Sequence, residues 1–582
     1  MGNYKNFNLA VYFVAEGTNS ATEESLQKNI DFFNKYMRLD KVYLEPFRSG
    51  IFASEEKVNM CKRIFEQNGI KVEGGITTNM PDVPGEPKKQ RLFDNFCYND
   101  NTMMAKLSEV SEFLGKHFDA FIIDDFYFTN CTCDACRKGK EAFNKDNGIT
   151  DGSWQAYRTH LMYETGQKYM IAPAKKVNPN CKITIKYPNW MESYQETGYD
   201  PERQKNIFDF IYTGTETRDP LHTDQHLPRY LSFSLMRYME KMAPGRNGGG
   251  WFDPFDCQIL DYYLEQAYLT AFAKAKELMM FCFQALCNTV NVPALGFMLD
   301  KLDNLLDKLG EPIGISAYIP NASQGEDNLQ DFLGMQGFPI IPSPEFDDDA
   351  PAIFLTASSA YDLDILDKLE NYLVKGGKAI VSNGFVNALL TKGLEKITSI
   401  RFRNRYATFN EYIIESDISY GYISAYGKQP VTVPVMEFRN NATWGGICKG
   451  RNAEESYTLL ARDTYSNGEM DTIVLPDSMS DIKNLPDEVL TRMRKEFSVN
   501  GIYLENCHNT GLFIYDNDTF VIYPFVSTDA SSEKIRIHTH KCKSISSLEY
   551  SHEIKPLYES EKECVFVIKS FIGKAMSFKI NM

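Results

Sequence analysis

The sequence lacks a positive-charge excess, a membrane-length apolar run, a leader pattern and a low-complexity linker, and each absence removes a class of function. Among 582 residues, 62 Lys and Arg face 78 Asp and Glu, a formal net charge of −16, and the pI is near 5.2. Such a chain offers no general surface for nucleic acid. No stretch approaches the ~20 apolar residues that a membrane helix needs, so no membrane partner is expected. The opening "MGNYKNFNLAVYFVAEG" has one apolar run, too short for a signal peptide and followed by no small-residue cleavage pattern. Asn6 stands where a myristoylation signal requires Ser or Thr. The 13 cysteines, odd in number and unevenly scattered, fit a reducing compartment better than a disulfide framework. A soluble, cytoplasmic protein is the expectation.

What is present is a strand-helix alternation over the first half. Short apolar runs predict strands at Asn8–Glu16, Lys41–Pro46, Ile70–Thr77, Phe118–Asp125, Cys181–Tyr187, Phe208–Tyr212, Gly248–Phe252 and Glu277–Gln284. Amphipathic stretches such as Ser25–Arg38 and Glu55–Gln67, with apolar residues three and four apart, fill most of the gaps. Eight strand-helix units in about 290 residues predict an α/β fold, a (β/α)8 TIM barrel spanning residues 1–310. A doubly wound open sheet is the alternative. From 400 to 582, short alternating stretches such as "TFVIYPFV" predict antiparallel strands in a β-sandwich-like C-terminal region.

Barrel active sites lie at the C-terminal mouth, so the strand ends carry the functional reading. The first ends at Glu16 and the second at "LEPFR", with Glu45 and Arg48. The fourth ends at the adjacent Asp124 and Asp125, and the fifth at "IKYPNW", with Lys186, Asn189 and Trp190. The sixth runs into "YTGTETRDP", with Glu216 and Arg218, and the seventh into "GGGWFDPFD", with Trp251 and Asp253. A lone acid there is usually a solvated loop charge; carboxylates, amides and flat aromatics together suit the hydroxyls and apolar face of a sugar. Cleaving a glycosidic bond takes two carboxyl groups, one to protonate the leaving oxygen and one to attack the anomeric carbon or activate water. Adjacent strand residues point to opposite sides, so Asp124 and Asp125 cannot both serve. Asp125 with Glu216 is the expected pair, Asp125 as nucleophile or base and Glu216 as acid, with Asp124 and Asp253 as the reserve pair. Glu16, Glu45, Arg48, Lys186, Asn189, Trp190, Arg218 and Trp251 are the expected substrate-binding residues.

Cys131, Cys133 and Cys136 put three thiols on one tight loop in a C-x-C-x-x-C pattern, spaced for zinc. Cys97, in the preceding barrel loop, is the expected fourth ligand. Four cysteines make a closed structural site with no open position for chemistry; a reduced, metal-free knuckle is the alternative. No organic cofactor is expected.

A strand ending in carboxyl residues, then C-x-C-x-x-C and an aromatic-containing helix, resembles the family 42 β-galactosidases, in which an upstream cysteine completes a zinc site. Residues Pro312–Phe385 are similar to the flavodoxin-like, glutamine-amidotransferase-like domain that those enzymes use to trimerise, and no cysteine sits at a nucleophile elbow. The resemblance therefore implies a non-catalytic α/β domain over 311–399 and a homo-oligomer such as a trimer. Family 42 enzymes carry an Asn-Glu pair after strand four, the Glu being proton donor. Here Asp124-Asp125-Phe126 puts Phe where that Glu would be, and the chain reads as diverged at the catalytic acid. An Asp after strand four with an acid after strand six resembles the α-galactosidase and α-glucosidase clan. The function implied is hydrolysis of a glycosidic bond in small oligosaccharides or glycosides. A non-catalytic carbohydrate-binding protein and a barrel lyase or amidase are the alternatives.

Overall fold

The computed structural model describes residues 4–82, 91–415, 421–453, 455–527, 533–550 and 552–582. The chain divides into two compact units, Met1–His226 with Met239–Asp307, and Leu227–Tyr238 with Lys308–Met582.

In the first unit, eight parallel strands close into a barrel. They are β1 (Asn8–Phe13), β2 (Lys41–Arg48), β3 (Lys71–Ile76), β4 (Ala120–Ile123), β5 (Lys182–Tyr187), β6 (Phe210–Gly214), β7 (Asn247–Phe252) and β8 (Glu277–Phe281). Each pairs in parallel with its sequence neighbour, and β1 pairs with both β2 and β8, so no open edge remains and the open-sheet alternative falls. The strands read as near-continuous apolar runs because both faces are covered, one by helices and one by the barrel interior. Tyr12, Tyr43, Ile122, Tyr212, Trp251 and Met279 fill that interior. Gly75 is required there: a Cβ would stand 2.6 Å from the Tyr12 hydroxyl.

The helices follow their local signals. Thr22 and Ser25 form a capping box at the start of Glu23–Asn34. Ser54 caps Glu55–Gln67, which buries Val58, Cys61, Ile64 and Phe65 along one face. Strand β1 is shorter than expected. It stops at Phe13, and Ala15–Ser20 coils into a short helix that leaves Glu16 exposed.

In the second unit, β9 (Ile315–Tyr318), β10 (Ile340–Ser343), β11 (Ala352–Leu355) and β12 (Lys378–Ser382) are parallel, in the order β10-β9-β11-β12. Beyond residue 399 the sheet continues. β13 (Ile400–Glu415), β14 (Tyr422–Phe438), β15 (Trp444–Asn452), β16 (Glu455–Tyr465) and β17 (Gly468–Ile473) extend it, β17 parallel to β12 and the rest antiparallel. These alternating strands were expected to open a sandwich. They join the existing sheet instead, because β17 offers β12 an edge that would otherwise be unpaired. A two-layer β region follows, in which Leu512, Ile514, Phe520 and Ile522 of a six-stranded sheet pack with Leu504, Ile537 and Phe566 of a four-stranded one.

The base of the barrel holds a buried polar plug. Glu277 accepts hydrogen bonds from the Tyr43 hydroxyl (2.8 Å) and the Tyr212 hydroxyl (3.1 Å), and pairs with Lys41 at 2.7 Å. Removing only the acceptor strands its partners in a dry interior. Glu277→Ala is expected to destabilise the protein by about 3 kcal/mol, read as a lower urea midpoint at unchanged slope; an unchanged midpoint would show that the plug is replaceable.

Candidate active site

At the C-terminal mouth of the barrel lies a cavity of about 320 Å³, lined by Arg48, Phe93, Asp124, Asp125, Phe126, Lys186, Asn189, Trp190, Glu216, Arg218, Gln225, Trp251, Asp253 and Phe281. Ten of the twelve residues expected to form the site are therefore in one place. Glu16 is not, being out on its helix. Glu45 is not either. It is wholly buried beneath the floor, where its carboxylate accepts from the Tyr12 and Thr77 hydroxyls (2.8 and 2.6 Å), the Ala15 amide (2.9 Å) and Arg48 Nε (2.8 Å).

The centre of the site is Lys186, carried inward by β5 and 2% exposed. Its ammonium donates to Asp125 Oδ2 at 2.6 Å and to Glu216 Oε1 at 2.9 Å, and sits 4.1 Å from the centre of the Trp251 ring. Burial alone would lower the Lys186 pKa, but Asp125, Glu216 and Asp124 raise it above its ordinary value. It stays a cation.

Asp124 and Asp125 both line the cavity, against the expectation that only one would face it, because the strand ends at Ile123 and its alternation does not extend to them; their surroundings then differ. Both oxygens of Asp124 are engaged: Oδ1 by the Asp125 amide (2.8 Å), Oδ2 by Thr77 (2.9 Å) and Arg48 (2.7 Å). Burial opposes its charge, yet Arg48 and Lys186 outweigh it and hold the carboxyl below its ordinary pKa. Asp125 goes the other way. Burial pushes its pKa well up, Lys186 opposes, and the charges of Asp124 and Glu216 add to the rise. The surroundings thus push the pKa values of two neighbouring carboxyl groups in opposite directions, a separation that acid-base sites use.

Glu216 follows β6. Its backbone carbonyl accepts from Asn189 Nδ2 at 2.7 Å, which ties the β5 and β6 loops together. Oε2 is buried with no hydrogen-bond partner among the described residues, and it lies against Gly214, where a Cβ would come within 2.8 Å. A buried carboxylate oxygen without a protein partner is costly and open to a polar group from the cavity. Asp253, after β7, is clamped by Arg218 in a two-pronged contact of 3.0 and 2.8 Å. Burial raises the Asp253 pKa and Arg218 opposes.

Phe93, Gln225 and Phe281 were not anticipated. Phe281 closes β8 and was accessible from the strand-end rule. Phe93 and Gln225 lie in long loops with no periodic signal.

The four cysteines converge as expected. Their sulfurs lie within 4.8 Å of one another, and Cys97 is 3.7 Å from Cys133 and 3.6 Å from Cys136, itself 3.6 Å from Cys133. The group is positioned to bind a metal ion. Asn99 Nδ2 donates to Cys136 Sγ at 3.4 Å. From Cys97 the next residue, Tyr98, donates to Thr78 (3.0 Å), which donates to the Phe126 carbonyl (2.7 Å). The cluster is thus tied to the loop that carries Asp125.

The chain thus contains a closed (β/α)8 barrel with several buried carboxyl groups gathered at its C-terminal mouth. The chain belongs to the family described as "Probable glycosyl hydrolase, catalytic domain", whose model matches residues 1–295; residues 310–478 match "Uncharacterized protein SSO3021, second domain". The protein of that name from Saccharolobus solfataricus is 26% identical over 504 residues, covering 80% of this chain and 81% of its own. The GH42 β-galactosidase Gan42B of G. stearothermophilus shares the fold at a TM-score of 0.64 and 11% identity, over 99% of both chains. The α-L-fucosidase isoenzyme 2 of Paenibacillus thiaminolyticus does so at 0.61 and 11%, over 100% of both. No helix among the described residues is long and apolar enough to cross a membrane.

The raised Asp125 has a consequence for stability. A carboxyl whose pKa is higher folded than unfolded stabilises fully below the unfolded value of ~3.9, and that contribution is lost as pH rises toward the folded value. Asp125→Asn removes the titration. In thermal melts from pH 4 to 8, the melting temperature of the variant is expected to gain on the wild type as pH rises; a constant difference would show that Asp125 is ionised throughout.

Proposed function

We propose that this protein hydrolyses glycosidic bonds with Asp125 as proton donor and Glu216 as nucleophile. The observation that carries the reading is the single buried ammonium held by both groups. It fixes the bound oxygens no more than about 5.5 Å apart, short of the ~6.5–9.5 Å of inverting glycosidases and within the reach of a retaining pair. The roles reverse the order expected from sequence, because burial pushes the Asp125 carboxyl toward holding a proton.

In the first step Asp125 gives its proton to the glycosidic oxygen, the leaving group departs as an alcohol, and a Glu216 oxygen bonds to the anomeric carbon. Esterification removes the Glu216 charge that helped raise Asp125, so the Asp125 carboxylate left by the first step stays ionised and, as general base, takes a proton from water. The water oxygen then bonds to the anomeric carbon, and Glu216 leaves as a carboxylate. Asp124 and Asp253 hold Arg48 and Arg218 in place and transfer no proton. Arg48, Lys186 and Arg218 are each already paired with a carboxylate, so the site favours a neutral sugar.

The Cys97, Cys131, Cys133 and Cys136 group fits zinc. A tetrahedron with Zn–S bonds of ~2.3 Å has sulfur–sulfur edges of ~3.8 Å, close to the separations of 3.6 and 3.7 Å. With all four positions taken by thiolate, the ion would brace the loop and leave the chemistry to the carboxyl groups.

On a panel of 4-nitrophenyl glycosides, Asp125→Asn and Glu216→Gln are each expected to lower turnover by at least about a hundredfold, and the first-formed product should keep the anomeric configuration by NMR. Inversion, or near-normal activity in both variants, would reject the pair. Elemental analysis is expected to find one zinc per chain, and Cys133→Ser to lower thermal stability; metal-free protein of undiminished stability would reject the metal.

A further inference from the structure

The reading of Asp125 as proton donor fixes on which side of the cavity the leaving group must lie. A donor has to reach the glycosidic oxygen, so the departing part of the substrate sits against the end of β4. Two aromatic side chains are found there. Phe126 follows Asp125 directly, and its ring centre is 5.7 Å from that of Phe93, with 49° between the planes. Both rings line the cavity.

Phe93 is an unusual residue in its surroundings. It is 58% exposed, and its φ of 53°, followed by 52° at Asp94, is a left-handed conformation that a bulky side chain adopts only when the structure around it imposes it. The imposing contacts are visible. Arg91 donates to the carbonyls of Asp94, Asn95 and Met80. On the other side, the Asn95 amide donates to the Phe128 carbonyl and the Leu92 N–H to Asn130 Oδ1. Every neighbour is anchored while the one aromatic ring projects into solvent at the rim. Exposed rings presented in this way stack on flat apolar faces, whether of an aryl group or of a pyranose.

We propose that Phe93 and Phe126 form the leaving-group subsite and select substrates whose departing group carries a ring. The proposal rests on the hydrolase reading with Asp125 as donor. It is tested on wild type, Phe93→Ala and Phe93→Trp, with a 4-nitrophenyl glycoside that the enzyme turns over and the glycosyl fluoride of the same sugar, whose leaving group has no ring to stack. The quantity read is kcat/KM on the aryl glycoside divided by kcat/KM on the fluoride. Phe93→Ala is expected to lower this ratio by about tenfold, mainly through KM on the aryl substrate, and Phe93→Trp to restore it to within about threefold of wild type. An unchanged ratio in Phe93→Ala, or an equal fall in Phe93→Trp, would overturn the subsite while leaving the hydrolase reading intact. Wild type that turns over neither class of substrate would overturn both.

Discussion

One buried cation organises the mouth of this barrel. Three carboxyl groups, Asp124, Asp125 and Glu216, lie around the Lys186 ammonium, which is within 2.9 Å of two of them and 3.8 Å of the third. Without it, burial and mutual repulsion would drive these acids to neutralise or move apart. With it, two can be held at reacting distance in a nearly dry site. The Trp251 ring, its centre 4.1 Å from the ammonium, adds a cation–π contact.

The difference between Asp124 and Asp125 follows from what stands behind each. Glu45, fully buried, fixes Arg48 through Nε, and Arg48 then meets Asp124 through Nη2. That ladder spans β2 and β4 and secures one aspartate as an anion. The cation that hydrogen-bonds the Asp125 carboxyl is the ammonium it shares with Glu216. Two neighbouring residues of the same type have their pKa values pushed in opposite directions by their surroundings.

The barrel was legible because each strand is a short apolar run followed by a helix with a capping residue or a 3.6-residue stripe, and both signals are local. The site was legible because the mouth of such a barrel must collect whatever the strand ends carry. What escaped was non-local. Glu16 was misplaced because nothing in "VAEGTNS" separates a strand end from a helical turn. Glu45 was recognised as important, but its direction, down toward Tyr12 rather than out to the cavity, depends on a pleat that sequence does not display. Phe93 owes its position to a left-handed backbone held by distant partners. The strands from 400 to 473 were seen as antiparallel, yet alternation does not say which sheet a strand will join.

The cysteine cluster and the carboxyl groups occupy neighbouring loops. The central claim, that Glu216 is the carboxylate that bonds to the sugar, is tested most directly by trapping the covalent intermediate. Incubation with an activated 2-deoxy-2-fluoro glycoside, followed by proteolysis and mass spectrometry, should place the label on the peptide containing Glu216 and on that residue within it. A label on Asp125 or Asp253, or inactivation-free turnover with no labelled peptide, would contradict the account.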